Sequence, residues 1–157
     1  MARAESGLGG LGATILNSGE LDPGLKQLIA FAVSNAAGCR YCQAHTAQSA
    51  QKNNVSLEKI QAVFEFERSA LFSDQEKAAL RVAVHAGMVP NAVEAKHMTV
   101  LSQHFSDKQA IEVVAVISLF GFLNRWNDTM ATTLESAPKD FAEDQLASHG
   151  WVAGKHE

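Results

Sequence analysis

The chain reads as a single all-α domain. Apolar residues recur at helical spacing in successive runs, most runs are opened by a helix-start signal, and the one β-branched run has no alternating partner to pair with. A length of 157 residues with 46% hydrophobic content suits one core that stands without staples.

Residues 1–20 form an N-terminal segment, Gly-rich from Ser6 to Ala13 and too broken in hydrophobicity to serve as a signal peptide. Asp22-Pro23 pairs an N-cap with proline at the first helical position. It opens a helix with Leu25, Leu28, Ile29, Ala32 and Val33 on one face, ending in the run to Gly38. A second helix runs from Cys39 to about Lys52, where Asn53-Asn54 breaks it, and Ser56 caps a third carrying Ile60, Val63 and Phe64. Ser73 and Glu76 make a capping box that opens a helix over 74–86, with Gly87 at its end. Pro90 is expected to start the next, reaching about His104 with Val93, His97, Val100 and Leu101 at helical spacing. A second box, Ser106 with Gln109, opens the longest helix, 107–134. Its middle is apolar nearly all round, which marks a buried central helix or a subunit interface. The run Val113 to Ile117 is compatible with a strand, but its length and the caps before it favour helix. Pro138 is expected to end the packed region. The domain is therefore residues 21–138, followed by a tail, 139–157, with a short helix over 140–147 and a lone Trp151.

Thirteen Lys and Arg against seventeen Asp and Glu give a net charge of −4, without the basic balance that a nucleic-acid partner requires. The longest apolar run, Val113 to Leu123, falls short of the roughly 18 residues of a membrane span, and the expected setting is cytoplasmic. Two cysteines exclude a disulfide scaffold. In a reducing compartment a close pair points to catalysis or metal binding.

That pair is Cys39 and Cys42, in Gly38-Cys39-Arg40-Tyr41-Cys42-Gln43-Ala44-His45. At roughly 100° per residue, Cys42 lies about 60° from Cys39 and His45 about 60° further in the same sense. A thiolate at a helix start is stabilised by unpaired amides and the helix dipole, and Arg40 adds positive charge. One thiol can then attack a peroxide and the other close a disulfide on the sulfenic acid. Because His45 is nearer Cys42, the expected order is Cys42 attacking and Cys39 resolving. Two other readings stay open: ordinary half-buried cysteines, and a metal site of Cys39, Cys42 and His45 with His85, His97 or His104 as fourth ligand. Arg125 and Asp128 are spaced to pair inside the long helix, fixing packing or standing at the mouth of the site. The aromatics Phe31, Tyr41, Phe64, Phe66, Phe120, Phe122 and Trp126 belong mainly to core or interface.

Three blocks in order, LDPGLKQLIAFAVSNAAGCRYCQAHTA, FSDQEKAALRVA and HFSDKQAIEVVAVISLFGFLNRWNDTMATTLE, resemble the AhpD-like alkylhydroperoxidase group of the carboxymuconolactone decarboxylase family. The resemblance covers residues 21–138. It implies an AhpD-like helical bundle, a homo-oligomer (trimer or hexamer), and a Cys39–Cys42 disulfide/dithiol cycle needing neither organic cofactor nor metal. Its substrate would be a small organic hydroperoxide or H2O2, its electron donor a thiol or protein. Two positions depart from that group's pattern: Thr46 stands where a histidine is usual, and Gln27 where a glutamate relays protons. An amide orients a partner but cannot exchange a proton at neutral pH, so Gln27 is a positioning group. Glu67 is the candidate substitute relay, ahead of Glu65 and of Glu76, which the capping box already uses. The alternatives to a hydroperoxide reductase are a lactone decarboxylase, which needs no cysteine pair, and a non-catalytic thiol sensor or scaffold.

Overall fold

Local signals set the helix boundaries over most of the chain. In the computed structural model, which describes residues 2–157, the helices are α1 (Ala2–Asn17), α2 (Pro23–Ala37), α3 (Arg40–Lys52), α4 (Leu57–Gln61), α5 (Asp74–Gly87), α6 (Ala95–His104), α7 (Asp107–Met130) and α8 (Ser136–Leu146). Short 3₁₀ turns follow at Ala62–Glu65, Ala147–His149 and Gly154–His156, and the described residues contain no strand. Met1, the first residue of the predicted N-terminal segment, lies outside the described residues.

Asp22 caps α2 by accepting the Leu25 amide at 2.9 Å, with Pro23 in the first turn. Both capping boxes form as the sequence predicts, at Ser73/Glu76 and Ser106/Gln109. α2 is the centre of the fold: Leu28, Ile29, Ala30, Phe31, Ala32 and Val33 are at most 1% exposed, and α3, α5 and α7 pack around it. The small side chains Ala44, Ala47 and Ala50 on α3 let that helix lie close.

Three boundaries differ from expectation. Pro90 does not start a helix. α6 begins at Ala95, because Glu94 and His97 form the box that satisfies its first amides. α7 stops at Met130, where Ala131 takes the left-handed conformation (φ 48°) and turns the chain. Pro138 does not end the packed region either. It sits in the first turn of α8, where its missing N–H costs nothing, and the helix continues to Leu146. The tail is packed: Ala142, Leu146, Trp151 and His156 are buried, and the Trp151 indole donates to the Arg40 carbonyl at 3.2 Å.

α1 lies along α7. Its C-terminal end is fastened by a buried cation, Lys26 on α2, 1% exposed, which donates to the carbonyls of Ile15 (2.9 Å) and Ser18 and pairs with Glu112 at 3.0 Å. Glu112 in turn accepts the amides of Glu20 (2.7 Å) and Leu21 (3.1 Å).

Candidate active site

The site begins at the turn between α2 and α3. Gly38 closes α2 in the left-handed conformation (φ 78°), which a side chain would strain, and the turn delivers Cys39 to the N-cap of α3. There Cys39 Sγ accepts the Cys42 amide at 3.4 Å, doing with sulfur what a serine oxygen does in other caps. Both thiols are free and closed to bulk water, at 0% and 2% exposure.

Their electrostatics diverge. A hydrogen bond from the Cys42 thiol holds Cys39 below the ordinary thiol range. The amides of Cys42 and Tyr41 add to this, against burial and the charge of Asp128. The same hydrogen bond pushes Cys42 far up, helped by burial and by the charge on Cys39, and only partly opposed by Asn127, whose amide donates to Cys42 Sγ at 3.6 Å. With the Cys42 amide donating to it at the N-cap of α3, Cys39 is the sulfur better placed to carry negative charge. The expected order, with Cys42 attacking, rested on His45 lying near Cys42.

His45 is engaged elsewhere. Its Nε2 stands 2.7 Å from Glu135 Oε2, its ring lies against Tyr41 at 4.5 Å, and the Tyr41 hydroxyl donates to Glu135 Oε1 at 3.0 Å. Burial, then Glu135, pushes the Tyr41 phenol up to about 12. Burial raises the Glu135 carboxyl, but its own amide, His45 and Tyr41 together outweigh that and hold it low. Thr46, buried, donates back to the Cys42 carbonyl at 2.7 Å. No hydrogen bond joins the half-buried Gln27 to either thiol among the described residues. Glu67 does not reach the pair: both its oxygens are held by Arg81, at 2.7 and 2.6 Å. Glu65 is exposed, and Glu76 serves its capping box and Lys59. His85 and His97 stack on each other at 4.2 Å.

The residues that do gather at Cys39 come from α7 and the tail. Cys39 Sγ, an Asp128 carboxylate oxygen and a His156 ring nitrogen lie within 4.8 Å of one another. Asp128 does not pair with Arg125 as its spacing predicts. Lys155 takes its Oδ2 at 2.9 Å, and His156 Nε2 is 3.6 Å from its Oδ1. The donor types are those of a metal centre, yet the set fits one poorly. Lys155 already neutralises the carboxylate, and no fourth donor joins the three among the described residues.

Asp128 also lines a cleft of about 480 Å³ between α2, the end of α5 and α7, together with Asn124, Arg125, Gly87 and Asn91. The Asn124 amide is buried there, and neither its nitrogen nor its oxygen has a hydrogen-bond partner among the described residues. The polar run Asn124 to Asp128 was expected to fix packing or stand at the mouth of the site, whereas His156 was not singled out by the sequence. The setting of that run inside an apolar helix was the available signal, and none existed for His156.

An all-helical bundle with a CxxC pair capping its third helix defines a class of small helical thiol proteins. The sequence profile of the carboxymuconolactone decarboxylase family matches residues 5–85, and the chain belongs to that family. It is 31% identical over 110 residues to the uncharacterised protein YnjA of Escherichia coli K12, covering 70% of this chain and spanning 60% of the length of YnjA. Among solved structures it is similar to the debrominase Bmp8, at 35% identity and TM-score 0.83 over 88% of this chain and 75% of that one. A cysteine-to-alanine form of Bmp8 in complex with 2,3,4-tribromopyrrole matches equally well (34%, TM-score 0.84). A protein of unknown function from Agrobacterium tumefaciens, described as a candidate antioxidant defence protein AhpD, shares the fold at 17% identity and TM-score 0.77, covering 87% of this chain and 93% of that one.

No described helix is long and apolar enough to cross a membrane.

Proposed function

We propose that the protein is a dithiol-dependent reductase of a small organic hydroperoxide or H2O2, with Cys39 attacking and Cys42 resolving. The observation that carries this is the N-cap position of Cys39, whose sulfur accepts the Cys42 amide at 3.4 Å at the start of α3, where a thiolate is favoured. The thiolate attacks the terminal peroxide oxygen, the O–O bond breaks, and Cys39 becomes a sulfenic acid as the alkoxide takes up a proton and leaves as the alcohol. Cys42 then displaces water from that sulfenic acid, and an external thiol or protein dithiol returns two electrons to the disulfide. No organic cofactor or metal enters the cycle. The cleft lined by Asp128 is the candidate substrate site, with the unpaired amide of Asn124 to orient the ligand. A cytoplasmic setting suits the thiol donor. A homo-oligomer suits the exposed stripe of Ile111, Val114, Phe122, Trp126 and Met130 along α7.

A second reading is reductive debromination, favoured by the likeness to Bmp8. There the Cys39 thiolate takes bromine from carbon, the ring carbon takes a proton, and Cys42 displaces bromide to give the same disulfide.

The test is the purified protein with dithiothreitol and either cumene hydroperoxide or a bromopyrrole. Hydroperoxide loss that Cys39→Ser abolishes supports the first reading. Bromide release without hydroperoxide loss transfers the function to the second, and no turnover of either overturns both.

A further inference from the structure

The Cys39 sulfur has a neighbour that this chemistry has not yet used. His156 is folded back on the Gly154–His156 turn and is 1% exposed. Two backbone bonds fix it: its carbonyl accepts the Leu134 amide at 2.8 Å, and its Nδ1 stands 2.9 Å from the Thr132 carbonyl oxygen. A carbonyl only accepts, so Nδ1 carries the hydrogen, and in the neutral ring Nε2 is left with a lone pair. That nitrogen is buried without a hydrogen-bond partner among the described residues, facing Asp128 Oδ1 at 3.6 Å beside Cys39.

A buried lone pair with no donor is costly. Forming a thiolate within 4.8 Å of the Asp128 carboxylate is costly too, and Lys155 holds only the other oxygen of that carboxylate. One proton, moved from sulfur to Nε2, removes both penalties. We propose that His156 is the proton acceptor for the Cys39 thiol and that Asp128 holds the imidazolium so formed.

In this step an S–H bond breaks and an N–H bond forms, the total charge of the cluster is unchanged, and nothing is oxidised. When the O–O bond of the substrate breaks, the same proton passes to the departing alkoxide and the ring returns to neutral. The proposal rests on Cys39 being the reacting thiol. The other groups that face the cluster leave this path clear. Lys155 holds the Oδ2 of Asp128, the Cys42 amide donates to the Cys39 sulfur, and the Tyr41 ring, 6.0 Å from that of His156, belongs to a phenol pushed up to about 12. His156 therefore supplies what Gln27, Glu67 and Thr46 do not.

The test is site-resolved alkylation of Cys39 by iodoacetamide in the full-length reduced protein, read by mass spectrometry across pH. His156→Gln should move the Cys39 curve up by about one pH unit, an about tenfold slower reaction on its acid limb. Added imidazole should restore the rate in His156→Gly, which a purely structural role would not allow. In the unaltered protein, ¹⁵N shifts should show His156 Nε2 protonated over the pH interval in which Cys39 is reactive, and losing that proton only at higher pH. An unmoved curve in folded His156→Gln, a ring that stays neutral over that interval, or stoichiometric zinc blocking Cys39 in the purified protein overturns the proposal. Alkylation involves no peroxide, so the relay and the substrate fail separately: a His156-dependent thiolate without hydroperoxide turnover supports the relay and removes only the substrate.

Discussion

Replacing Glu112 with glutamine should detach the N-terminal helix and expose how much the buried Lys26 depends on its counter-ion. In the native protein Glu112 joins Lys26 at 3.0 Å and receives the amides of Glu20 and Leu21, so one carboxylate fastens both the cation and the chain entering α2. Breaking a buried ion pair from one side costs about 3–5 kcal/mol, because the other charge is left without compensation. Lys26 keeps the carbonyls of Ile15 and Ser18, and Glu112 is 19% exposed, which places the expected loss at the lower end, about 3 kcal/mol. For a chain of this size that is a fall in Tm of roughly 6–12 °C. The pH dependence has a definite sign. Burial raises the Glu112 carboxyl, but the two amides and Lys26 outweigh it and the folded group titrates below its ordinary range. Its contribution is therefore complete above the unfolded value of about 4.3 and is lost as pH falls through the lower, folded value. Urea unfolding of both proteins at neutral and acid pH reads this out. The native protein should lose its advantage over Glu112→Gln as pH drops, while amide exchange in α1 should be faster in the variant at neutral pH. A stability loss under about 1 kcal/mol, or a difference that grows with acid, refutes the reasoning.

Two further outcomes follow from the site. Gly38→Ala places a side chain at φ 78° and should cost about 1–2 kcal/mol by urea unfolding while slowing Cys39 alkylation, since the cap position of Cys39 depends on that turn; unaltered stability would contradict the role given to Gly38. Tyr41 is the one tyrosine of the chain, so ultraviolet absorbance follows it alone. It should ionise near 12, and Glu135→Gln should bring it only part of the way toward about 10, because burial is the larger cause; a return to the ordinary value would assign the whole effect to Glu135.

The bundle was legible wherever the instruction was local. Asp22 with Pro23, Ser73 with Glu76 and Ser106 with Gln109 each satisfy a helix end within a few residues, and each forms as expected. Where a boundary depends on packing, the sequence carries no such mark. Ala131 ends α7 in a conformation usually given to glycine, and Glu94 caps α6 only because His97 returns the bond. The cysteine pair was visible by its spacing, but its partners were not. His45 sits one turn from Cys42 in sequence, yet Glu135 takes it. His156, from the opposite end of the sequence, reaches Cys39 only because Leu146 and Trp151 bury the tail against the body of the domain. Spacing along one helix finds neighbours on that helix and is blind to a side chain brought in by another.

Along the last turns of α7, Phe122, Trp126 and Met130 stand exposed while Asn127 and Asp128 lie at the thiols and Asn124 lines the cleft, so the two sets alternate within the same few residues. An exposed apolar face and the polar residues of the candidate site are thereby written on one rod. Polar substitutions intended to improve handling at Trp126 fall beside Asn127, and redesign of the sulfur environment at Asp128 falls between Trp126 and Met130. In this stretch a change made for the exposed face is also a change beside the candidate site.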